Sequence, residues 1–239
     1  MSLYAIGDLH LHYGTDRFPD LQKTDPDWVG HEEKVKRNCA RLIRPEDTLV
    51  LVGDHTWGKS PAERRPDFEF IEALPGRKIL TRGNHDMFWE AKRTDALRQR
   101  YEEMYGGDLE FLQGSFAVWN DYALVATKGY TYEGLDTPEH AAKLVRRELV
   151  RLKAGLDEAK AAGFDKIIVF LHYPPTNILE RESGFTQMAE DYGVSQVVYA
   201  HCHGRARFHD SIRGMFHGVR YSLVSGDSLD WCPKKIVDG

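Results

Sequence analysis

An α/β fold, with a largely parallel sheet extended by antiparallel strands, is predicted by three observations. Five short β-rich apolar runs recur along the chain. Each is continuous rather than alternating, as strands covered on both faces are. Helical patterns lie between most of them, and a strand, helix, strand succession builds a parallel sheet. Two further stretches read as antiparallel additions.

Taken in order, the first run is LYAI, Leu3 to Ile6. The stretch from Gly14 to Trp28, rich in Asp and Pro, reads as a long loop near the length at which loops are functional. HEEKVKRNCARLI comes next, with Val35, Cys39, Leu42 and Ile43 at helical spacing. The second run is Thr48 to Val52, and Gly58 to Asp67 reads as a second loop leading into a short helix. Substrate specificity is expected in these two loops. Lys78 to Thr81 is the third run. SFAVWNDYALVATKG then reads as a hairpin turning at Asn120 and Asp121. A long helix opens with Thr137 as N-cap and Pro138 at its first position, and stops at Gly163. Within it, KLVRRELVRLK reads as a solvated face. Lys166 to Leu171 and Gln196 to Ala200 are the last two runs, and GVRYSLVSGDSL adds a strand and a turn.

The 239 residues suffice for one core, so a single domain over 1–239 is expected. With 41% hydrophobic and 29% charged residues the chain is ordinary for a globular protein. A net charge of -5 gives no basic footprint, which disfavours a dedicated nucleic-acid binder. Nucleic acid stays open as a substrate, because bound metal can supply local positive charge. Cys39, Cys202 and Cys232 form no disulfide framework or zinc ribbon, which points to a reducing compartment. The opening MSLYAIGDLH lacks a signal peptide's basic and long apolar regions. No apolar run approaches a membrane span. A cytoplasmic protein with no membrane partner is expected.

Each of the five runs ends in residues that can bind metal. In chain order these ends are Gly7-Asp8-Leu9-His10, Gly53-Asp54, Arg82-Gly83-Asn84-His85-Asp86, His172, and His201-Cys202-His203. Sites in open α/β sheets form beyond the carboxyl ends of the strands. Asp8 and His10 are two apart, as are His201 and His203, so an extended segment would point each pair one way. Cys202 would then point away and read as a small buried residue. Setting His85 aside, the donors are two carboxylates, one amide and four histidines, more than one metal needs. The mixed oxygen and nitrogen set suits two transition-metal ions such as Mn, Fe, Zn or Co rather than Mg or Ca. Paired metals polarise an ester oxygen and generate hydroxide for in-line displacement at phosphorus.

Asp8-x-His10, Gly53-Asp54, Gly83-Asn84-His85-Asp86, His172 and His201-x-His203 together resemble the ordered signature of the calcineurin-like metallophosphoesterase superfamily. The phrases GDHTWG, LPGRKILTRGNHD, HYPPTN and HCHG resemble those of small stand-alone bacterial members. The resemblance implies a four-layer α/β/β/α sandwich with mixed sheets and a dinuclear centre at the carboxyl ends of strands. It assigns Asp8, His10 and His203 to the first metal and Asn84, His172 and His201 to the second, with Asp54 bridging. His85 becomes proton donor or transition-state stabiliser, and Asp86 its orienting partner. Arg82 and Asn84 are candidates for substrate contact. The implied activity is hydrolysis of a small phosphomonoester or phosphodiester by a metal-bridging hydroxide. A nuclease of the same superfamily and a non-enzymatic interaction module on the same fold are the alternatives.

Two departures stand out. Asp54 is followed by His55-Thr56-Trp57-Gly58, without the arginine of the protein-phosphatase branch. Ala200 replaces the usual glycine before His201. His12 and His55 read as solvated loop residues, and Trp57 and Tyr173 as packing residues that could also meet an aromatic leaving group.

Overall fold

All five apolar runs form strands, and they divide between two mixed sheets, as the family resemblance implies rather than as the single sheet that strand and helix succession suggests. The computed structural model of the protein describes residues 1–19, 23–89, 94–105 and 109–239. In chain order the elements are β1 (Leu3–Ile6), α1 (His31–Leu42), β2 (Thr48–Val52), α2 (Pro61–Ala73), β3 (Arg77–Thr81), α3 (Thr94–Tyr105), β4 (Glu110–Leu112), β5 (Ser115–Trp119), β6 (Tyr122–Thr127), α4 (Pro138–Ala161), β7 (Lys166–Leu171), α5 (Gly184–Asp191), β8 (Gln196–Tyr199), β9 (Gly214–Phe216), β10 (Val219–Leu223) and β11 (Lys234–Val237). Two compact units result, residues 1–111 with 224–239, and residues 112–223.

In the first unit the sheet runs β11-β1-β2-β3-β4. β1, β2 and β3 are parallel, and β11 returns antiparallel to cover the edge of β1. Every residue of β1 and β2 is buried, which explains their unbroken apolar character. Tyr4, Ile6, Leu49 and Leu51 pack with Val35 and Cys39 of α1 and with Phe68 and Ile71 of α2. Burying one such large side chain is worth roughly 1.5–3 kcal/mol.

The expected loop from Gly58 to Asp67 is mostly helix. Ser60 Oγ accepts from the Glu63 N–H at 3.3 Å, and the Glu63 carboxylate accepts from the Ser60 N–H at 3.1 Å. This reciprocal capping, with Pro61 at the first position, starts α2 seven residues earlier than expected. The stretch from Gly14 to Trp28 does not stand open either. Phe18 and Trp28 are buried in the same core, and positions 20–22 lie outside the described residues.

In the second unit the sheet runs β5-β6-β7-β8-β10-β9. β6, β7, β8 and β10 are parallel, and the β5–β6 and β9–β10 pairs are antiparallel. The hairpin turns at Asn120, whose φ of 49° is the left-handed geometry a tight turn requires. Thr137 caps α4 by accepting from the His140 N–H at 3.3 Å. One expectation for α4 fails: Glu148, inside the supposedly solvated run, is wholly buried. It accepts from Thr127 Oγ1 and from Arg151, each at 2.5 Å, so a buried charge is fully paired. No helix among the described residues is long and apolar enough to cross a membrane.

Candidate functional site

In the first unit, the turns after β1 and β2 are sewn together beyond the sheet. The Asp8 N–H donates to the Gly53 carbonyl at 3.0 Å, His10 to Asp54 at 2.9 Å and Leu11 to His55 at 2.9 Å. Asp8, His10 and Asp54 adopt φ of 60°, 44° and 54°. Asp and His tolerate this region better than most residues, yet each such turn costs on the order of 1–3 kcal/mol. Asp8 and His10 therefore come together through left-handed turns, not along the extended segment that their spacing suggests. Their donor atoms lie within 4.8 Å of each other, and both side chains are buried.

Asp54 is held from two sides. Its Oδ1 accepts from the His85 N–H at 2.8 Å, and its Oδ2 lies 3.7 Å from His10 Nε2. Asp86, expected beside the His85 ring, has other partners. Its Oδ2 accepts from the N–H groups of Asp54 (2.9 Å) and Gly83 (2.7 Å), and its Oδ1 from His55 N–H at 2.8 Å. A carboxylate has acceptor capacity for all three, and backbone donors in a buried turn must be satisfied. Asp86 thus fixes the backbone that carries Asp54.

His85 and Asn84 are half-buried, as is Arg82 before them. The His85 ring lies 4.3 Å from Trp57, and Trp57 stacks on His10 at 5.0 Å and 19°. Trp57 is therefore a wall shared by two candidate site histidines. His55 is wholly buried, with Nε2 2.9 Å from the Thr81 carbonyl, and is not a solvated loop residue. His12 is half-buried and stacks on Phe18 at 4.1 Å.

Two residues with no expected role support these turns. His31 is buried, with Nε2 2.8 Å from the Leu9 carbonyl and Nδ1 2.9 Å from that of Trp28, tying α1 to the turn between Asp8 and His10. Asp67 of α2 accepts from the Tyr13 N–H at 2.8 Å and from the Thr56 hydroxyl. Burial pushes the Asp67 carboxyl up to about 6, against the lowering effect of these donors and of His12. An acid with a raised folded pKa binds more protons folded than unfolded. Its contribution is greatest below about pH 4, falls as pH rises to about 6, and is constant above, a change on the order of 3 kcal/mol. Asp67→Asn is expected to remove that fall. Urea midpoints between pH 4 and 7 check it, and an unchanged pH slope in the variant would contradict the assignment.

In the second unit, His172 follows β7 and His201 follows β8. His201 Nδ1 lies 3.2 Å from His172 Nε2, and both rings are buried. His201 has φ of 70°, and its ring packs 4.2 Å from Tyr173. His203 is half-buried, and Cys202 is buried in the unit's core. Behind His201 stands Glu133, with its two oxygens 3.1 and 3.2 Å from Nε2. Arg207 donates to Glu133, and its Nε donates to Asp210 at 2.9 Å. Burial alone would raise the Glu133 carboxyl, but His201 and Arg207 hold it down at about 2.

Beside Glu133 opens a cavity of about 340 Å³, with Arg207 and Asp210 on its polar side and Tyr132, Leu135 and Ile178 on its apolar side. It lies outside the two loops in which specificity was expected. Glu133 had no sequence signal, because it stands six residues beyond the end of β6 rather than directly after a strand.

In chemical terms, the first unit presents buried carboxylates facing an imidazole, and the second a pair of imidazole nitrogens. Such oxygen and nitrogen donors fit Mn, Fe or Zn.

The calcineurin-like phosphoesterase family profile matches residues 1–205. No curated protein matches the chain. Among solved structures, the chain is similar in fold to phosphopantetheinyl hydrolase from Mycobacterium tuberculosis, with a TM-score of 0.55 and 16% identity over 100% of this chain and 96% of that one. A protein of unknown function from Aquifex aeolicus aligns with 98% of this chain and 95% of its own, at 18% identity and a TM-score of 0.46.

Proposed function

The chain belongs to the calcineurin-like phosphoesterase family, a family of metal-dependent hydrolases, and from that premise we propose that it hydrolyses a small phosphomonoester or phosphodiester at two transition-metal ions. The proposed ligands are Asp8, His10, Asp54, Asn84, His172, His201 and His203, with Asp54 shared. Residues 1–239 are read as one functional domain, because the family profile runs from residue 1 to 205 and so through both units.

The observation that carries the reading is the restraint of Asp54. It is a buried carboxylate with one oxygen fixed by the His85 N–H and the other turned to His10. A shared ligand has to be held in this way, since both ions depend on its position. When bound, the two ions would activate water and draw charge from the phosphoryl oxygens. His85 donates a proton to the departing alcohol oxygen as the phosphorus–oxygen bond breaks. Trp57 keeps the His85 ring in place and limits water on that side. Arg82 and Asn84 bind phosphoryl oxygens, and Asp86 positions the turn that carries Asp54 and His55.

Asp54→Ala is expected to lose bound metal and nearly all turnover, whereas His85→Ala keeps its metal and loses turnover. General acid assistance is typically worth roughly 10²–10⁴-fold, which sets the expected loss for His85→Ala. Metal analysis beside initial rates tests both. Full metal occupancy with normal turnover in Asp54→Ala would remove the shared-ligand assignment.

A further inference from the structure

We propose that Glu133 is a positioning residue for the metal centre, holding His201 in the tautomer that presents Nδ1 as its ligand nitrogen. The proposal rests on the phosphoesterase reading. Its geometry lies wholly within the second unit. An ionised carboxylate can only accept, so the hydrogen between Glu133 and His201 belongs to Nε2. Nδ1 then carries the lone pair, and it is Nδ1 that faces His172 Nε2 at 3.2 Å. Which ring nitrogen can bind a metal is set by the hydrogen bond that the other nitrogen makes.

Glu133 is itself braced. Arg207 grips one of its oxygens and is anchored in turn by Asp210. Tyr173 supports the face of the His201 ring, and Tyr130 lies 5.3 Å behind Tyr173. Ring contact limits where the imidazole sits, while Glu133 decides which nitrogen is protonated. An ion pair serving only stability would need Arg207 and Glu133 but would not need both Glu133 oxygens near Nε2.

The test compares wild type, Glu133→Ala and Glu133→Gln by two readouts. Calorimetry follows Mn²⁺ binding, and ¹⁵N NMR follows the His201 ring in metal-free protein. Glu133→Ala is expected to weaken one of the two Mn²⁺ equivalents by about 10–100-fold, the usual cost of losing such a partner. Its metal-free His201 should shift from the Nε2–H form to a tautomer mixture. Glu133→Gln keeps an acceptor oxygen at the same place and should recover most of the affinity and the tautomer. Wild-type Mn²⁺ affinity in Glu133→Ala, or an unchanged His201 tautomer, overturns this assignment alone. A wild-type protein that binds no Mn²⁺ overturns the phosphoesterase reading and this assignment with it.

Discussion

Gly83→Ala is expected to abolish function through Asp54, although residue 83 carries no side chain to lose. A Cβ at Gly83 would lie 2.1 Å from Asp54 Oδ1 and 2.2 Å from the Asp54 nitrogen. Neither distance is sustainable, so the turn after β2 or the turn after β3 has to move. The Asp54 nitrogen is tied to Asp86 and its Oδ1 to the His85 N–H, so one displacement disturbs both contacts. Misplacing a reacting group by about 1 Å can cost roughly 100-fold in rate, and a loss of at least that size is expected. The measurement is turnover together with metal content. A Gly83→Ala protein with wild-type values for both would mean that the close approach is unimportant.

Asp86→Ala should have the largest effect on stability. Three buried backbone N–H groups, those of Asp54, His55 and Gly83, would lose their acceptor at once. Each orphaned donor costs roughly 1–3 kcal/mol, so the total is at least about 3 kcal/mol. Because one of the three belongs to Asp54, metal affinity should fall as well. The urea midpoint and Mn²⁺ binding measure the two effects. A midpoint close to wild type would show that these donors find other partners. If Asp86 served only the His85 ring, turnover would fall while stability and metal affinity held.

Local features of the fold were legible in the sequence. β1, β2 and β7 begin and end where their apolar runs do, and the turn at Asn120 is a matter of neighbouring residues. Candidate ligands were legible for the same reason, since each comes directly after a run. Long-range pairing was not. β11 pairs with β1 across more than two hundred residues, and no property of Lys234–Val237 announces that partner. The division of the runs into two sheets is likewise a choice among partners that periodicity does not record. The start of α2 was readable from Ser60, Pro61 and Glu63, but the glycine and charges around them read as a loop. Asp86 and Glu133 show a different gap. A carboxylate's role depends on which donors surround it, and the backbone N–H groups around Asp86 have no signature in residue type. His31 and His55 are the same case, since their rings bond to carbonyl oxygens of distant segments.

The most direct test of the central claim is hydrolysis of p-nitrophenyl phosphate and bis(p-nitrophenyl) phosphate by the purified Mn²⁺-loaded protein, with a chelator-treated control. Turnover of at least one ester is expected, lost on chelation and restored by Mn²⁺, with the ratio of the two rates showing whether monoesters or diesters are preferred. Turnover that survives complete removal of metal, or no turnover of either ester by protein shown to carry two ions, would contradict the account.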